Sequence, residues 1–575
     1  MRANTKRARA MRADPPRVVL QGGGHTRRLT SGLGVASLAG IVLFVGTAIV
    51  ALSLAASREG ISAGAGATSD MFDAYLWRVA RFTLVQAGLS TLLSIAFAIP
   101  VALALARRRH FPGRIWIVRL MALPLGLPAL VAALGIVGIW GRQGIANDLL
   151  ASLDLGRPIA IYGLTGILVA HVFFNMPLAV RLLLSGLERI PGEYWLVSAN
   201  LGLSPVQLFR FIEWPVIRGL LSGVAGLVFM LCATSFTLVL TLGGGPAAST
   251  LEVAIYQALR FDFDPPRAIA LSALQIAVTA ILLILLRWLT PPATEAPTTG
   301  RPVRRFDSGS SVLLLFDAFV VALAALFVAA PLASVLVSGL VSDLFKLATD
   351  PQVHRATATS LAIAAVSAVL SVALATAMLT TRQILLSPRR PGGFAQVFSG
   401  GVAAGTSLIL LVPPVVIGAG WFLVLRPLGD VARFAPAVIT AVNTLMALPF
   451  VARVLAPAIA THAARTDRLT TSLGIRGWSR LRLIDGPGLR RPLLMALSFA
   501  AALSLGDLGA VALFGAQDMI TLPFLLFSRM GSYRTTDAAG LALLLGLVCV
   551  VLTFLGTPRA LEPRGRIGRG HHEAG

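Results

Sequence analysis

Few polar residues in this chain could do chemistry, and most of them stand inside long apolar runs. Asp507 is the sharpest case. A carboxylate at membrane depth is costly, so it marks either a passage for a solute or a bond to a neighbouring helix. His171 and Asn175 lie one helical turn apart on one face of an apolar run. Asn443 lies in the run that matches it in the second half of the chain, and Ser235 takes the place of Asp507 in the first. These five residues are the candidate translocation pathway, with interhelical hydrogen bonding as the plainer alternative. Because the first half does without a charge at Ser235, Asp507 leans toward the structural role. Bond-making chemistry finds no support. A nucleotide cradle needs Gly-Lys followed by Ser or Thr, and neither lysine, Lys6 or Lys346, follows a glycine. The Gly243-Gly244-Gly245 run lacks a phosphate-cradle context and reads as an external turn. His571-His572 has no further ligands, so no metal site is expected. No cofactor is expected in this chain.

The elements that must position these residues are membrane helices. The chain has 575 residues, 56% hydrophobic and 13% charged, with mean hydropathy +0.81; soluble domains carry about 25% charged residues. Twelve apolar spans are predicted, near 32–55, 82–106, 116–140, 160–184, 220–242, 268–289, 312–338, 358–380, 399–425, 435–459, 493–514 and 537–557. Each is long enough to cross a bilayer, about 20 residues. The fold class is all-α and polytopic, and the alternating pattern of a β-barrel is absent. Cys232 and Cys549 both fall inside apolar runs and read as small buried side chains, not a disulfide.

The net charge of +24 is distributed unevenly. Arginines crowd alternate loops, from Arg107-Arg108-Arg109 to Arg453 through Arg491, whereas the intervening loops hold aspartates such as Asp148, Asp262 and Asp343. That is the positive-inside pattern, with both termini cytoplasmic, and it leaves no soluble basic domain to hold nucleic acid. No cleavage site follows the basic N-terminus, so the first span is expected to be an uncleaved insertion signal. Five segments result: a basic tail 1–31, a first six-span half 32–289, a Pro/Thr/Ser/Gly-rich cytoplasmic linker 290–311, a second six-span half 312–557 and a basic tail 558–575. Six is even, so the halves are expected to be parallel repeats. Asp317, near the inner end of the seventh span, is expected to snorkel and is given no role.

The repeat is visible directly. Pro177 to Arg218 recurs without gaps as Pro449 to Arg490, an offset of 272 residues. It keeps Gly202/Gly474, Arg210/Arg482, Pro215/Pro487 and Arg218/Arg490, while Glu213 faces Asp485. The second spans match as well, through Ser90/Ser367 and Ser94/Ser371. Gly202 suits the left-handed position that ends a helix. Ser204, Pro205 and Gln207 then write a capping box and a helix start. The short helix that follows offers Val206, Phe209 and Phe211 for contact and is expected to end at Pro215. The second copy keeps Gly474 and Pro487 but lacks the Ser-Pro start; Trp478 and Leu481 supply its apolar face.

This loop, twice present, resembles the cytoplasmic loop of binding-protein-dependent ABC importer permeases, and the chain is similar to type I permeases with both halves fused. In that family a Glu-Ala-Ala precedes the glycine; here Leu196-Val197-Ser198 and Arg468-Leu469-Thr470 stand there. The segments Trp140 to Gly144, His171 to Pro177, Ser504 to Asp507 and Gly531 to Arg534 resemble the thiamine and thiamine diphosphate permeases in particular. The resemblance implies the membrane subunit of a bacterial inner-membrane importer. Two copies of an ABC ATPase, carrying ATP and Mg, would dock a groove on the two loops. One external substrate-binding protein would sit opposite, and lipid would surround the rest. Ferric iron or another small solute is the alternative cargo. An ion-coupled secondary transporter, which wants broken helices and paired carboxylates, and a scaffold are rivals of other classes.

Overall fold

A computed structural model describes residues 24–62, 74–154, 160–289, 311–386, 392–406, 412–429, 431–475, 477–514, 519–532 and 534–556. Most of the 1–31 tail, the 290–311 linker up to Ser311, and the 558–575 tail with His571-His572 lie outside them. The first helix, Gly24–Ser62, starts inside the expected tail. Among the described residues there is no strand, and eleven helices are long and apolar enough to cross a membrane. Large apolar side chains such as Leu43, Phe319 and Val337 remain exposed on these helices, as a lipid-facing surface requires. Cys232 and Cys549 are free thiols, both buried.

Four of the expected spans are not single helices. The third is Arg114–Leu120, Leu123–Gly126 and Ala129–Trp140; the ninth is Gly393–Gly405 and Pro414–Leu425. Hence none of the eleven long apolar helices covers the ninth region, where the shorter Pro414–Leu428 stands. Pro128 and Pro413 each immediately precede the later helix, because a proline lacks the N–H that would continue the earlier one. The fifth and eleventh spans break as Trp214–Ala233 with Thr237–Leu242, and Gly486–Leu505 with Gly509–Phe514. These two breaks share the 272-residue offset residue for residue. At the second break the Asp507 carboxylate takes the Gly509 N–H at 3.1 Å, the competition with helical bonding that makes Asp a helix terminator.

The first helix of each half lies against the other half. Gly24–Ser62 packs on Pro351–Leu386 and Pro414–Leu425, and Ser311–Val341 packs on Ala74–Arg107 and Ala129–Trp140. Phe44 stacks on Trp421 with ring centroids 4.8 Å apart, and the Trp421 indole N–H donates to the Phe44 carbonyl at 3.2 Å. A side chain at Gly135 would strike the Pro331 carbonyl, and one at Gly420 would strike the Ala48 carbonyl. Those two glycines occupy matching places, seven residues into Ala129–Trp140 and Pro414–Leu425, so close backbone approach seals both crossings. Asp317 corrects the snorkelling expectation. It is 2% exposed, with Oδ1 2.7 Å from Arg107 Nη1 and Oδ2 3.1 Å from Arg108 Nε. It therefore pins the first helix of the second half to the first half.

Candidate functional site

The duplicated loops are built from the same parts. Helix Gly192–Asn200 ends at Gly202, where φ is 64°, and helix Val431–Ser472 ends at Gly474, where φ is 67°. Leu203 N–H donates to the Ser198 carbonyl at 3.1 Å and Gly202 N–H to Ala199 at 3.1 Å. Ile475 N–H donates to Thr470 at 3.0 Å and Gly474 N–H to Thr471 at 3.3 Å. Both are the paired closing bonds of a Schellman turn.

The short helix Pro205–Leu208 starts with the expected capping box: Gln207 N–H donates to Ser204 Oγ at 3.4 Å, and Ser204 N–H to Gln207 Oε1 at 2.8 Å. It does not stop at Pro215. One π turn, Phe209–Glu213, joins it to Trp214–Ala233, and the Trp214 N–H reaches back five residues to the Phe209 carbonyl. The second loop repeats this as Gly477–Arg480, the π turn Leu481–Asp485 and Gly486–Leu505. The wider turn makes room for the rings of Pro215 and Pro487, which would clash with the carbonyl four residues earlier in an α-helix. Val206 and Phe211 are 75% and 62% exposed; Trp478 and Leu483, at the same register, are 74% and 65% exposed. Phe209 instead turns inward against Trp214, with centroids 5.8 Å apart, whereas its counterpart Leu481 remains exposed.

Where the second loop lacks a capping box, charge holds it. Arg480 bridges Asp467 at 2.6 Å and Asp485 at 3.1 Å, and His462 Nε2 lies 2.9 Å from Asp485 Oδ1. Each loop also carries an open cavity at the same register. The first, about 850 Å³, is lined by Arg210, Trp214, Pro215 and Arg218; the second, about 490 Å³, by Arg482, Gly486, Pro487 and Arg490. Exposed apolar side chains beside an arginine-lined cleft suit a partner surface that is apolar with an acidic rim.

The pathway candidates do not converge on one cavity. His171 Nδ1 lies 2.9 Å from Ser90 Oγ, Asn175 Nδ2 donates to Cys232 Sγ at 3.2 Å, and Asn443 Nδ2 donates to Ser504 Oγ at 2.9 Å. All three are buried and tie helices within their own half. Ser235 and Asp507 instead sit at the matching breaks of the fifth and eleventh spans. Sequence reasoning missed Glu252. It is 1% exposed, one residue into helix Leu251–Arg260, and Oε1 has no hydrogen-bond partner. Its one signal in the sequence is an acid in a largely apolar segment between two predicted spans. Among the described residues no group of three or more His, Cys, Asp or Glu could hold a metal.

Residues 98–294 match the family model of binding-protein-dependent transport system inner membrane components. The chain is 51% identical to the thiamine transport system permease protein of Brucella abortus (strain 2308), over 95% of this chain and 97% of that one. It is 44% identical to the protein of that name from Escherichia coli (strain K12), over 84% and 88% of the two chains. A sulfate transport system permease protein of Salmonella typhimurium matches at 31% identity, over 36% of this chain and 74% of its own length.

Proposed function

The chain belongs to the thiamine transport system permeases, inner membrane components of binding-protein-dependent transport, and on that premise we propose that it is the membrane subunit of an ATP-driven importer of thiamine and its phosphates. The paired loops support the rest of the reading. Two loops with the same turn, the same π junction and a cleft at the same register suit two copies of one partner. We assign that partner as an ABC ATPase carrying ATP and Mg, docked through Val206, Phe211, Trp478 and Leu483. Twelve crossings form two parallel six-span repeats, with the ninth completed by its two shorter helices. Both termini and the linker face the cytoplasm, and one external binding protein delivers cargo at the opposite ends of the broken fifth and eleventh spans. Substrate passes between the halves as they rock apart.

Broken helices and the carboxylates of Glu252 and Asp507 also suit an ion-coupled transporter, but the importer reading assigns the energy source to the separate ATPase subunit. ATP-dependent thiamine uptake by proteoliposomes holding the permease, the ATPase and the binding protein tests cargo and energy source together. Ferric ion uptake without thiamine uptake would move the chain to the other cargo, and uptake driven by an ion gradient without ATP would sink the importer reading.

The orientation has its own test. In a Cys232→Ser, Cys549→Ser background, Thr294→Cys in the linker is expected to resist an impermeant thiol reagent in intact cells, and Asp262→Cys is expected to react. The reverse pattern would invert the topology.

A further inference from the structure

Glu252 and Asp507 come from opposite halves of the chain and are brought together at the end of the helices remote from the duplicated loops. Helix Leu251–Arg260 packs on Pro414–Leu425 and on Gly509–Phe514, directly after Asp507. The two carboxylates lie within electrostatic reach of each other. Aromatic rings bridge the distance. Tyr256 is one turn beyond Glu252 on the same helix face and meets Phe236 edge-on, centroids 5.3 Å apart. Phe236 in turn lies beside Gly509, whose side-chain position is 3.7 Å from the Phe236 ring and 3.5 Å from Asp507 Oδ1. Helix Gly486–Leu505 separates this place from the coupling loop by about 30 Å, at 1.5 Å per residue.

Neither charge belongs to the duplicated framework. The 272-residue offset puts Ser235 opposite Asp507. Helix Leu522–Gly531 puts Pro523 opposite Glu252, and the two helix starts are held alike. Leu251 N–H donates to Thr83 Oγ1 at 3.0 Å, and Leu522 N–H to Ser360 Oγ at 2.8 Å. So each half contributes one carboxylate that its repeat lacks. Both leave an oxygen buried and unbonded: Oε1 of Glu252 and Oδ2 of Asp507. Two carboxylates in such surroundings are expensive to ionise together, so the pair takes up a proton or a cation.

We propose that Glu252 and Asp507, flanked by Phe236 and Tyr256, form a site for an organic cation between the halves, filled in transport by the thiazolium ring of the cargo. The proposal deepens the importer reading and rests on it for the identity of that cation. Two carboxylates without a third ligand make a poor metal site, whereas a diffuse positive ring gains from carboxylates and aromatic faces alike. Because each half supplies one carboxylate, rocking the halves apart dismantles the site and frees the cation.

The test uses the permease–ATPase complex in lipid nanodiscs. Thiamine is expected to raise the melting temperature of the wild type by binding the folded state, and equal sodium chloride is not. In Glu252→Gln and in Asp507→Asn the shift is expected to vanish, with thiamine affinity by equilibrium dialysis down about tenfold or more. The ligand-free melting temperature should hold or rise, since an amide is cheaper to bury than a carboxylate. An undiminished thiamine shift in both variants would overturn the site, as would a sodium shift equal to that of thiamine. If the wild type imports thiamine but shows no shift, the site falls and the function stands. If it imports none, the cargo reading falls; a tetramethylammonium shift lost in Glu252→Gln would then still carry the cation site.

Discussion

Asp317→Ala is expected to lower the melting temperature of the purified permease more than any single change in the coupling loops. The side chain is 3% exposed and faces Arg107 and Arg108, which are 10% and 18% exposed. Removing one partner of such a buried cluster costs about 3–5 kcal/mol, because the remaining charges stay desolvated. The damage should be specific to the contact between halves: limited proteolysis is expected to cut the chain between them sooner. Asp317→Glu should recover part of the loss and Asp317→Asn little. A melting temperature unchanged in Asp317→Ala would show that the arginines are held well enough by their other partners.

Valine at Gly202 or Gly474 is expected to cut ATPase co-purification and ATP-driven uptake. Nothing stands within 4 Å of a side chain added at either glycine, so the change adds no clash. What it adds is a branched residue in a left-handed conformation, at about 1–2 kcal/mol, and the strain is relieved by opening the turn that presents the short helix. The two loops should then differ. Gly202→Val retains the capping box of Ser204 and Gln207. Gly474→Val relies on Arg480, whose partly exposed ion pairs contribute only about 1 kcal/mol or less each. Gly474→Val with Arg480→Ala is therefore expected to lose more activity than the two single changes together. Normal ATPase retention in the double variant would remove the second loop from the docking surface.

The turns of these loops were legible because their chemistry is local. A glycine at the left-handed position, a Ser-Pro start and a Gln three residues on act over a few residues, so they read the same in sequence and in space. Breaks in the third, fifth, ninth and eleventh spans were not legible from hydropathy, which stays high through them. For the third, ninth and eleventh the causes were nonetheless written at Pro128, Pro413 and Asp507. Asp317 was misread because its partners are about two hundred residues earlier in the chain. Glu252 was overlooked for the same reason: its neighbour Asp507 belongs to the other half, and no local spacing joins them.

The traded first helices have a consequence for how the molecule is made. Gly24–Ser62 enters the bilayer first, yet its main packing surface, Pro351–Leu386 and Pro414–Leu425, follows about three hundred residues later. At roughly 5–20 residues per second, the helix waits tens of seconds in lipid with Phe44 and Ala48 uncovered. A ribosome that stalls before the second half leaves an orphan with a bare seam, an obvious mark for a membrane protease. Joining both halves in one polypeptide ensures that the missing surface arrives from the same ribosome, in equal number and at the same spot in the membrane.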